Sequence, residues 1–326
     1  MRPLIVITAT PETPVRVDIF RETLGDWADI DLVPLPFRLD SEAEQEQYWQ
    51  RIYPAAALFV RTGLIPAQLI ARCPHLKVIT LHGAGVDQVD VASARAAGVM
   101  VTNIPGANAP AVAEMTIGLM LAVLRQIPLA DRRLRTASWE QARQSGRELR
   151  GQRVGLVGFG NIARRVAHLL RAFGAEVAYY DLLGRNSDPQ FADCIFLPLP
   201  ELLASSDIVS LHLPLTEETH HLISAQRLAS FKPGSILINT ARGPIVDQAA
   251  LYEALTSGRL AAAALDVFDP EPLSSDSPLL SLDNVVVTPH LAGSTDECLI
   301  ELARRGALEI ARVLRGEAAL YTVGNN

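Results

Sequence analysis

The sequence predicts an α/β protein that contains two doubly wound parallel sheets. Short aliphatic runs alternate with helical patterns along the chain, which is typical of parallel strands covered by helices. A chain of 326 residues has the length of about two domains of roughly 150 residues each. Hydrophobic residues make up 49% of the chain and charged residues 20%, a composition that excludes a disordered protein.

The first hundred residues predict one doubly wound unit. Helix signals separate its strands: Ser41 and Glu44 have the spacing of a capping box, and Pro66 opens a helical pattern that runs to Arg72. Short aliphatic runs predict its strands at Leu4 to Thr8, Asp31 to Leu35, Ala56 to Val60, Val78 to Leu81 and Val99 to Val101.

A long apolar helix is predicted from Ala109 to Gln126, and a second sheet follows it. The helical pattern is apolar on most of its circumference, so we expect this helix to lie between larger bodies and to link two domains. About six further runs predict the second sheet, at Arg153 to Val157, Glu176 to Tyr180, Ile208 to Leu211, Ser235 to Asn239, Ala262 to Leu265 and Val285 to Thr288.

The last helical pattern runs from Ser294 to Arg315, and no strand is predicted after it. Such a helix can return to pack on the first domain, which would make that domain discontinuous. We therefore predict one domain from residues 1–101 and 292–326 and a second domain from residues 102–291.

Charge and cysteine content narrow the class of protein. Lys and Arg total 29 against 36 Asp and Glu, a net charge of −7, so no basic excess drives contact with nucleic acid. The seven arginines between Arg125 and Arg150 indicate a solvated or subunit-contacting segment. Three dispersed cysteines, Cys73, Cys194 and Cys298, form no CxxC pair and favour the reducing cytoplasm.

No segment is predicted to cross a membrane. The start, MRPLIVITAT, has only four consecutive aliphatic residues and lacks the apolar core of a signal peptide. The longest apolar run, Ile117 to Leu124, is interrupted by Gly118 and is much shorter than the ~20 residues that a span requires.

The segment VGLVGFGNIA, residues 154–163, has the pattern of a dinucleotide-binding turn. Gly158 permits a tight turn, Gly160 lets the backbone approach a pyrophosphate, and Ala163 keeps the following helix close to the strand. Asp181 ends the next strand 23 residues after Gly158, where a carboxylate accepts hydrogen bonds from ribose hydroxyls. That carboxylate would repel a 2′-phosphate, so NAD is predicted rather than NADP, although Arg185 could soften the preference.

Polar residues follow three further predicted strands. Thr240 and Arg242 follow one, Asp266 and Glu271 follow the next, and His290 follows the last. Because ligands bind outside the carboxyl ends of the strands in open parallel sheets, we expect these groups to converge. Arginine grips a carboxylate, histidine exchanges a proton near neutral pH, and glutamate stabilises the imidazolium. With a dinucleotide, this trio would support hydride transfer to a 2-oxo acid.

The sequence resembles the D-isomer-specific 2-hydroxyacid dehydrogenases over nearly its whole length. The ordered blocks that carry the resemblance are HGAGVDQVD (82–90), VTNIPGANAPAVAEMTIGLML (101–121), VGLVGFGNIA (154–163), HLPLTEET (212–219), INTARGPIVD (238–247), ALDVFDPEPL (264–273) and TPHLAGST (288–295). The resemblance implies an NAD-binding Rossmann domain inserted into a flavodoxin-like substrate domain. It also implies NAD-dependent interconversion of a D-2-hydroxy acid and its 2-oxo acid, in a homodimer built by the long helix after residue 109 and the arm that follows.

The resemblance further implies a role for each matching residue. Arg242 would bind the substrate carboxylate and carbonyl, and His290 would be the acid/base with Glu271 as its partner. Asp181 would hold the adenosine ribose, and Asp266 would contact the nicotinamide carboxamide. Further cofactor contacts are implied for Gly158, Gly160, Asn161, Ile162, Leu213, Pro214, Thr240, Ala241 and Gly293. Contacts with the substrate carboxylate are implied for the backbone of Gly83, Ala84 and Gly85.

Two alternatives stay open beside this interpretation. The substrate could be 3-phosphoglycerate rather than glyoxylate or hydroxypyruvate, given the PGANA block and Arg61, although the sequence ends at Asn326 with no regulatory domain appended. The protein could instead be a dinucleotide-sensing protein similar to the C-terminal-binding corepressors, which keep the same trio. Arg61 follows a predicted strand and either reaches the far end of a substrate or is merely exposed. No metal site is predicted, because the adjacent His220 and His221 would not share a face of a helix.

Overall fold

The computed structural model describes residues 2–323, and its contacts divide the chain into two units. One unit runs up to Asn108 and resumes at Ser294, and the other is Ala109–Gly293. The predicted boundaries, at 101/102 and 291/292, stay a prediction of where a substrate domain and a cofactor domain divide.

The first unit contains a parallel five-stranded sheet with the order β2-β1-β3-β4-β5. Its strands are β1 (Leu4–Thr8), β2 (Asp29–Val33), β3 (Ala57–Val60), β4 (Val78–Leu81) and β5 (Met100–Thr102). The predicted second strand was placed two residues too late. The ladder between β1 and β2 ends at Val33, because Pro34 has no N–H to donate to a neighbouring strand.

Five helices accompany this first sheet within residues 2–323. They are α1 (Val17–Leu24), α2 (Glu42–Ile52), α3 (Ala67–Ala71), α4 (Val91–Ala96) and α12 (Asp296–Leu314). The predicted cap of α2 is half formed: Ser41 accepts from the Glu44 N–H, but the Glu44 carboxylate accepts from the N–H of Asp40. The last helix, α12, belongs to this unit and packs close to β3, because Gly306 has no Cβ that would overlap the Phe59 ring. The first unit is therefore discontinuous in sequence.

The second unit contains a parallel seven-stranded sheet with the order β12-β11-β10-β9-β6-β7-β8. Its strands are β6 (Arg153–Val157), β7 (Glu176–Tyr180), β8 (Ile195–Phe196), β9 (Ile208–Leu211), β10 (Ser235–Asn239), β11 (Leu260–Leu265) and β12 (Val285–Val287). The sequence predicted all of these except β8, whose two residues are too short to form a recognisable aliphatic run. The two parallel α/β sheets confirm the predicted fold class.

Seven helices accompany this second sheet among the described residues. They are α5 (Ala109–Leu124), α6 (Ile127–Thr136), α7 (Trp139–Ala142), α8 (Asn161–Ala172), α9 (Leu199–Ser205), α10 (Ala225–Ser230) and α11 (Gln248–Thr256). Helix α5 is largely buried and packs on α8. Within residues 2–323 no single helix has both the length and the apolar composition for crossing a membrane. The pair α5 and α6 meets both criteria only when taken together, with a bend of 55° between them.

The strand order of the second sheet places its carboxyl edge where a ligand can bind. Strand β6 pairs with β7 on one side and with β9 on the other, so the connections that leave β6 and β9 run in opposite directions across the sheet. Such a reversal of strand order opens a crevice at the carboxyl ends of the strands. The loops after β6, β9, β10, β11 and β12 all lie at that edge.

Candidate active site

The turn after β6 has a backbone that only glycine can adopt. Gly158 has a φ of +92°, in the left-handed region, and its N–H donates to the Tyr180 carbonyl at 2.8 Å. A Cβ on Gly158 would lie 2.6 Å from the carbonyl oxygen of His212. The glycine therefore lets the β6 turn approach the loop that follows β9.

The first turn of α8 is open in a way that suits a pyrophosphate. Gly160 precedes α8 and makes no side-chain cap, so the first N–H groups of this twelve-residue helix are free to bind an anion. A Cβ on Gly160 would meet no atom within 4 Å, so packing within the chain does not require glycine there. Asn161 and Ile162 supply the first N–H groups, and the fully buried Ala163 brings the helix close to the sheet. These residues fit a dinucleotide phosphate.

Asp181 lies next to the glycine turn, directly after β7. Its Oδ2 accepts from the Phe159 N–H at 2.7 Å, and its Oδ1 accepts from the Leu183 N–H at 2.9 Å. Each carboxylate oxygen accepts more than one hydrogen bond. Both oxygens therefore keep the capacity to accept from a ribose, and the exposed Leu182 and Leu183 offer no cation to a 2′-phosphate. This arrangement fits the ribose of NAD.

Glu271 and His290 form a hydrogen-bonded pair at the same edge of the sheet. His290 Nδ1 lies 2.8 Å from Glu271 Oε2, and Glu271 Oε1 accepts from the Phe268 N–H at 3.0 Å. Burial alone would raise the pKa of Glu271. The hydrogen bond and charge of His290, the Phe268 N–H and the charge of Arg242 outweigh burial and hold that pKa below its ordinary value. Glu271 is therefore ionised at neutral pH and fixes the ring of His290.

The loop that carries Arg242 closely approaches the loop that carries Glu271. Arg242 follows β10, and its carbonyl accepts from the Asn239 side-chain amide at 2.9 Å. A Cβ on the next residue, Gly243, would overlap the backbone carbonyl of Phe268. The Arg242 loop therefore rests directly on the loop that carries Glu271. The sequence placed Gly243 at a strand end but gave no sign of this contact.

Asp266 holds the turn that presents His290. Its carboxylate is fully buried and accepts from the Thr288 hydroxyl at 2.6 Å and from the N–H groups of Leu291 and Ala292 at 2.8 and 2.9 Å. Its carbonyl accepts from the N–H of His290, whose φ is +54°. Burial raises the pKa of Asp266, against the opposing effect of these hydrogen bonds. The implied contact of Asp266 with nicotinamide stays a prediction.

The other implied cofactor residues lie on the same loops. Thr240 is buried and shares a hydrogen bond of 3.1 Å with Thr116, and the Ala241 N–H donates to Asn239 Oδ1 at 3.0 Å. The remaining positions are the buried Leu213 and exposed Pro214 after β9 and the half-buried Gly293 after β12.

In the first unit, the loop after β4 carries the implied substrate residues. Gly83 has a φ of +120°, and its carbonyl accepts from the Ile104 N–H at 2.8 Å. The carbonyl of Ala84 accepts from the Asn103 side-chain amide at 2.9 Å. Within residues 2–323 no hydrogen bond engages the N–H groups of Ala84 and Gly85. Two amides are therefore available to an anion.

Arg61 is enclosed rather than freely exposed. Its Nη1 lies 3.0 Å from both ring nitrogens of His82, and its Nη2 donates to the Ser294 hydroxyl at 3.4 Å. Its Nε is buried without a partner, and no acidic side chain pairs with it in the described part of the chain. Burial lowers the pKa of Arg61 to about 10, and burial together with the Arg61 charge lowers the pKa of His82 well below its ordinary value. An uncompensated guanidinium of this kind favours binding of an anion or hydroxyl.

We compared the chain with protein-family models, with curated proteins and with solved structures. The model of the NAD binding domain of D-isomer specific 2-hydroxyacid dehydrogenases matches residues 117–292. A glyoxylate reductase of Thermofilum pendens is 43% identical over 267 residues, which cover 80% of this chain and 79% of that protein.

Two further matches concern a longer enzyme and a solved structure. A D-3-phosphoglycerate dehydrogenase of Mycobacterium tuberculosis is 41% identical over 295 residues, which cover 90% of this chain but only 54% of that protein. The chain thus spans about half the length of that relative. The crystal structure of the TT0316 protein from Thermus thermophilus superposes with a TM-score of 0.87 at 34% identity, covering 98% of this chain and 99% of that one.

Proposed function

Because this chain belongs to the D-isomer specific 2-hydroxyacid dehydrogenase family, we propose that it reduces a short 2-oxo acid with Arg242, Glu271 and His290 as its catalytic residues. The protein is an NAD-dependent oxidoreductase that acts on the CH–OH group of 2-hydroxy acids. The observation that carries the residue assignment is the 2.8 Å bond between Glu271 and His290, next to Arg242, at the sheet edge that also carries the Gly158 turn.

His290 supplies the proton in this proposal. The ionised Glu271 accepts a hydrogen bond from the Nδ1–H group of His290, which leaves Nε2 as the ring nitrogen that faces the substrate. A protonated Nε2 donates to the carbonyl oxygen during reduction and accepts the proton back during oxidation. Bound NADH supplies the hydride.

Arg242 binds the substrate in this proposal. The guanidinium of Arg242 pairs with the substrate carboxylate and stabilises the negative charge that develops on the carbonyl oxygen. In the first unit, the free N–H groups of Ala84 and Gly85 are the proposed donors to a carboxylate, and Arg61 is the proposed partner of an anionic or hydroxyl group of a substrate.

Glyoxylate and hydroxypyruvate are the proposed substrates. The relative named glyoxylate reductase is 43% identical to this chain, against 41% for the D-3-phosphoglycerate dehydrogenase. A panel of 2-oxo acids assayed with NADH, including glyoxylate, hydroxypyruvate, pyruvate and phosphohydroxypyruvate, tests this choice. The highest kcat/KM is expected for glyoxylate or hydroxypyruvate. A preference for phosphohydroxypyruvate would select the alternative substrate, and no turnover with any acid would contradict the proposed activity.

We also propose that the α6–α7 segment forms a homodimer interface. Three large apolar side chains are more than half exposed there: Ile127 at 55%, Leu134 at 51% and Trp139 at 65%. With Arg125 and Arg143 they line a groove of about 530 Å³. Exposed apolar patches with a polar rim are typical of subunit contacts. Light scattering after size-exclusion chromatography should give twice the chain mass, and Leu134→Glu should give a monomer; a monomeric wild-type protein would contradict the proposal.

The cytoplasm is the proposed location. Cys73, Cys194 and Cys298 are buried free thiols, a state that reducing compartments maintain. Fractionation of cells that express a tagged chain should recover it with cytoplasmic markers.

A further inference from the structure

Two adjacent histidines and one aspartate lie together on loops outside the proposed catalytic trio. The nearest ligand atoms of His220, His221 and Asp269 lie within 4.8 Å of one another, and all three side chains are exposed. The histidines are in the loop between β9 and α10, and the aspartate is in the loop after β11. The cluster therefore joins two loops at the carboxyl edge of the second sheet.

The sequence argument against a metal pair rests on helical geometry, which this turn does not have. It assumed that adjacent histidines point apart, as they do on a helix. Here both lie in a turn, and His221 has a φ of +48°, in the left-handed region that non-glycine residues seldom adopt. This backbone places the two rings on the same side, stacked with their centroids 4.1 Å apart and their planes at 26°.

Both loops are held in place by hydrogen bonds. The His221 N–H donates to the Pro244 carbonyl at 2.8 Å, and the buried Thr219 hydroxyl donates to the Pro214 carbonyl at 2.7 Å. The carbonyl of Asp269 accepts from the side-chain amide of Gln248. The backbone that carries the cluster is thus fixed by its own chain, while the exposed side chains are free to adjust.

We propose that His220, His221 and Asp269 form a site for a borderline transition-metal ion such as Zn²⁺. Two imidazoles and one carboxylate are a usual donor set for Zn²⁺, Ni²⁺ and Cu²⁺, whereas Mg²⁺ and Ca²⁺ prefer oxygen ligands. Zn–N bonds of about 2.0–2.1 Å put tetrahedral ligand atoms about 3.4 Å apart, so the ligand atoms must approach by up to about 1.4 Å and the two rings must tilt out of their stack. Water takes the fourth position. This proposal stands whether or not the chain reduces 2-oxo acids.

The site would connect loops that carry the catalytic trio. Asp269 lies two residues before Glu271, and His221 is bonded to Pro244, two residues after Arg242. A bound ion would tie the β9, β10 and β11 loops together. Because a ligand that binds only the folded state stabilises it by mass action, Zn²⁺ should raise the unfolding temperature of the protein.

Calorimetric titration with ZnCl₂ tests the site in tag-free, chelator-treated protein. The wild type should bind Zn²⁺ through this cluster, and His221→Asn should weaken that binding at least about tenfold, as even the loss of an outer-shell partner does. Asparagine suits this variant because it tolerates the left-handed backbone. Asp269→Asn should weaken binding similarly. His75→Asn and His168→Asn are matched controls, since both side chains are exposed and lie outside the cluster.

A spectroscopic measurement separates this cluster from other histidines. Cu²⁺ bound to the wild type should give an electron paramagnetic resonance spectrum with hyperfine coupling to two nitrogens, and His220→Asn should reduce it to one. Absence of Zn²⁺ binding in the wild type, or binding equal in wild type and His221→Asn, would overturn the proposal. Equal weakening by His75→Asn would also overturn it.

Discussion

Glu271 accepts a hydrogen bond from the ring of His290 across 2.8 Å, and the same carboxylate accepts from the backbone of Phe268. The pair is oriented by hydrogen bonds within its own chain. The charge of Arg242 helps to keep Glu271 ionised. One ring nitrogen of His290 is thus committed to Glu271, and the other is left for proton transfer to a substrate.

Removal of the imidazole should therefore abolish proton transfer and spare cofactor binding. His290→Asn should lower kcat about 10²-fold or more, the usual contribution of acid/base catalysis, and asparagine accommodates the positive φ at this position. Steady-state kinetics and NADH fluorescence titration measure the two effects separately. An unchanged kcat would refute the role of His290, and a comparable loss of NADH affinity would show that the variant damaged the cofactor site instead.

Replacement of Gly243 tests whether the contact between the Arg242 and Glu271 loops matters. In Gly243→Ala the new methyl group would overlap the Phe268 carbonyl, so the two loops must separate. We expect kcat to fall at least about tenfold, since small displacements of catalytic groups have such effects, with a lower unfolding temperature. Gly118→Ala is the matched control, because a Cβ there meets no atom within 4 Å and alanine favours a helix. Wild-type kcat in Gly243→Ala would contradict the proposed packing.

Asp181 should determine the choice between NAD and NADP. Asp181→Ala removes the acceptors for the ribose hydroxyls and the charge that repels a 2′-phosphate. The KM for NADH should rise, and the ratio of kcat/KM between NADH and NADPH should fall. Because Asp181 also accepts from Phe159 and Leu183, the unfolding temperature must be measured beside the kinetics. An unchanged cofactor ratio in a folded variant would argue against the ribose contact.

Local patterns predicted much of the fold. Strands β1, β4, β6, β7, β9 and β10 have the predicted bounds, because each is a short buried run closed by turn residues. Strand β8 was missed because two residues, Ile195 and Phe196, carry no periodicity, and its pairing with β7 is set by tertiary contact. Strand β2 ends at Val33, before Pro34, whereas the aliphatic run predicts a strand that continues to Leu35.

The sequence predicts those residues of the candidate site whose separation along the chain is set by a known motif. Gly158 and Asp181 are separated by one strand-helix-strand unit, so their positions could be inferred from the sequence alone. The overlap that Gly243 avoids and the three bonds to the Asp266 carboxylate depend on how loops from different strands approach one another. The stacked pair of His220 and His221 depends on one left-handed residue, which no periodic pattern indicates.

His212 should make stability depend on pH. Burial lowers the pKa of His212 to about 3 from an ordinary value of 6.5, while its Nε2 lies 2.9 Å from the Ser210 hydroxyl. Between these two values the unfolded chain binds a proton that the folded chain does not, so stability falls as the pH drops below 6.5. At a pH of about 5 this group alone costs about 2 kcal/mol of unfolding free energy.

The variant His212→Gln isolates this cost. Urea unfolding at about pH 7.5 and 5 should show a pH-dependent loss of stability that is smaller in His212→Gln than in the wild type by about 2 kcal/mol. The comparison uses the change in unfolding free energy between the two pH values. A loss of stability that is the same at both pH values therefore does not affect it. His168→Gln is the control, because His168 is exposed on α8 and should leave the pH dependence unchanged. Equal pH dependence in His212→Gln and the wild type would mean that His212 takes up its proton in the folded state as readily as in the unfolded chain.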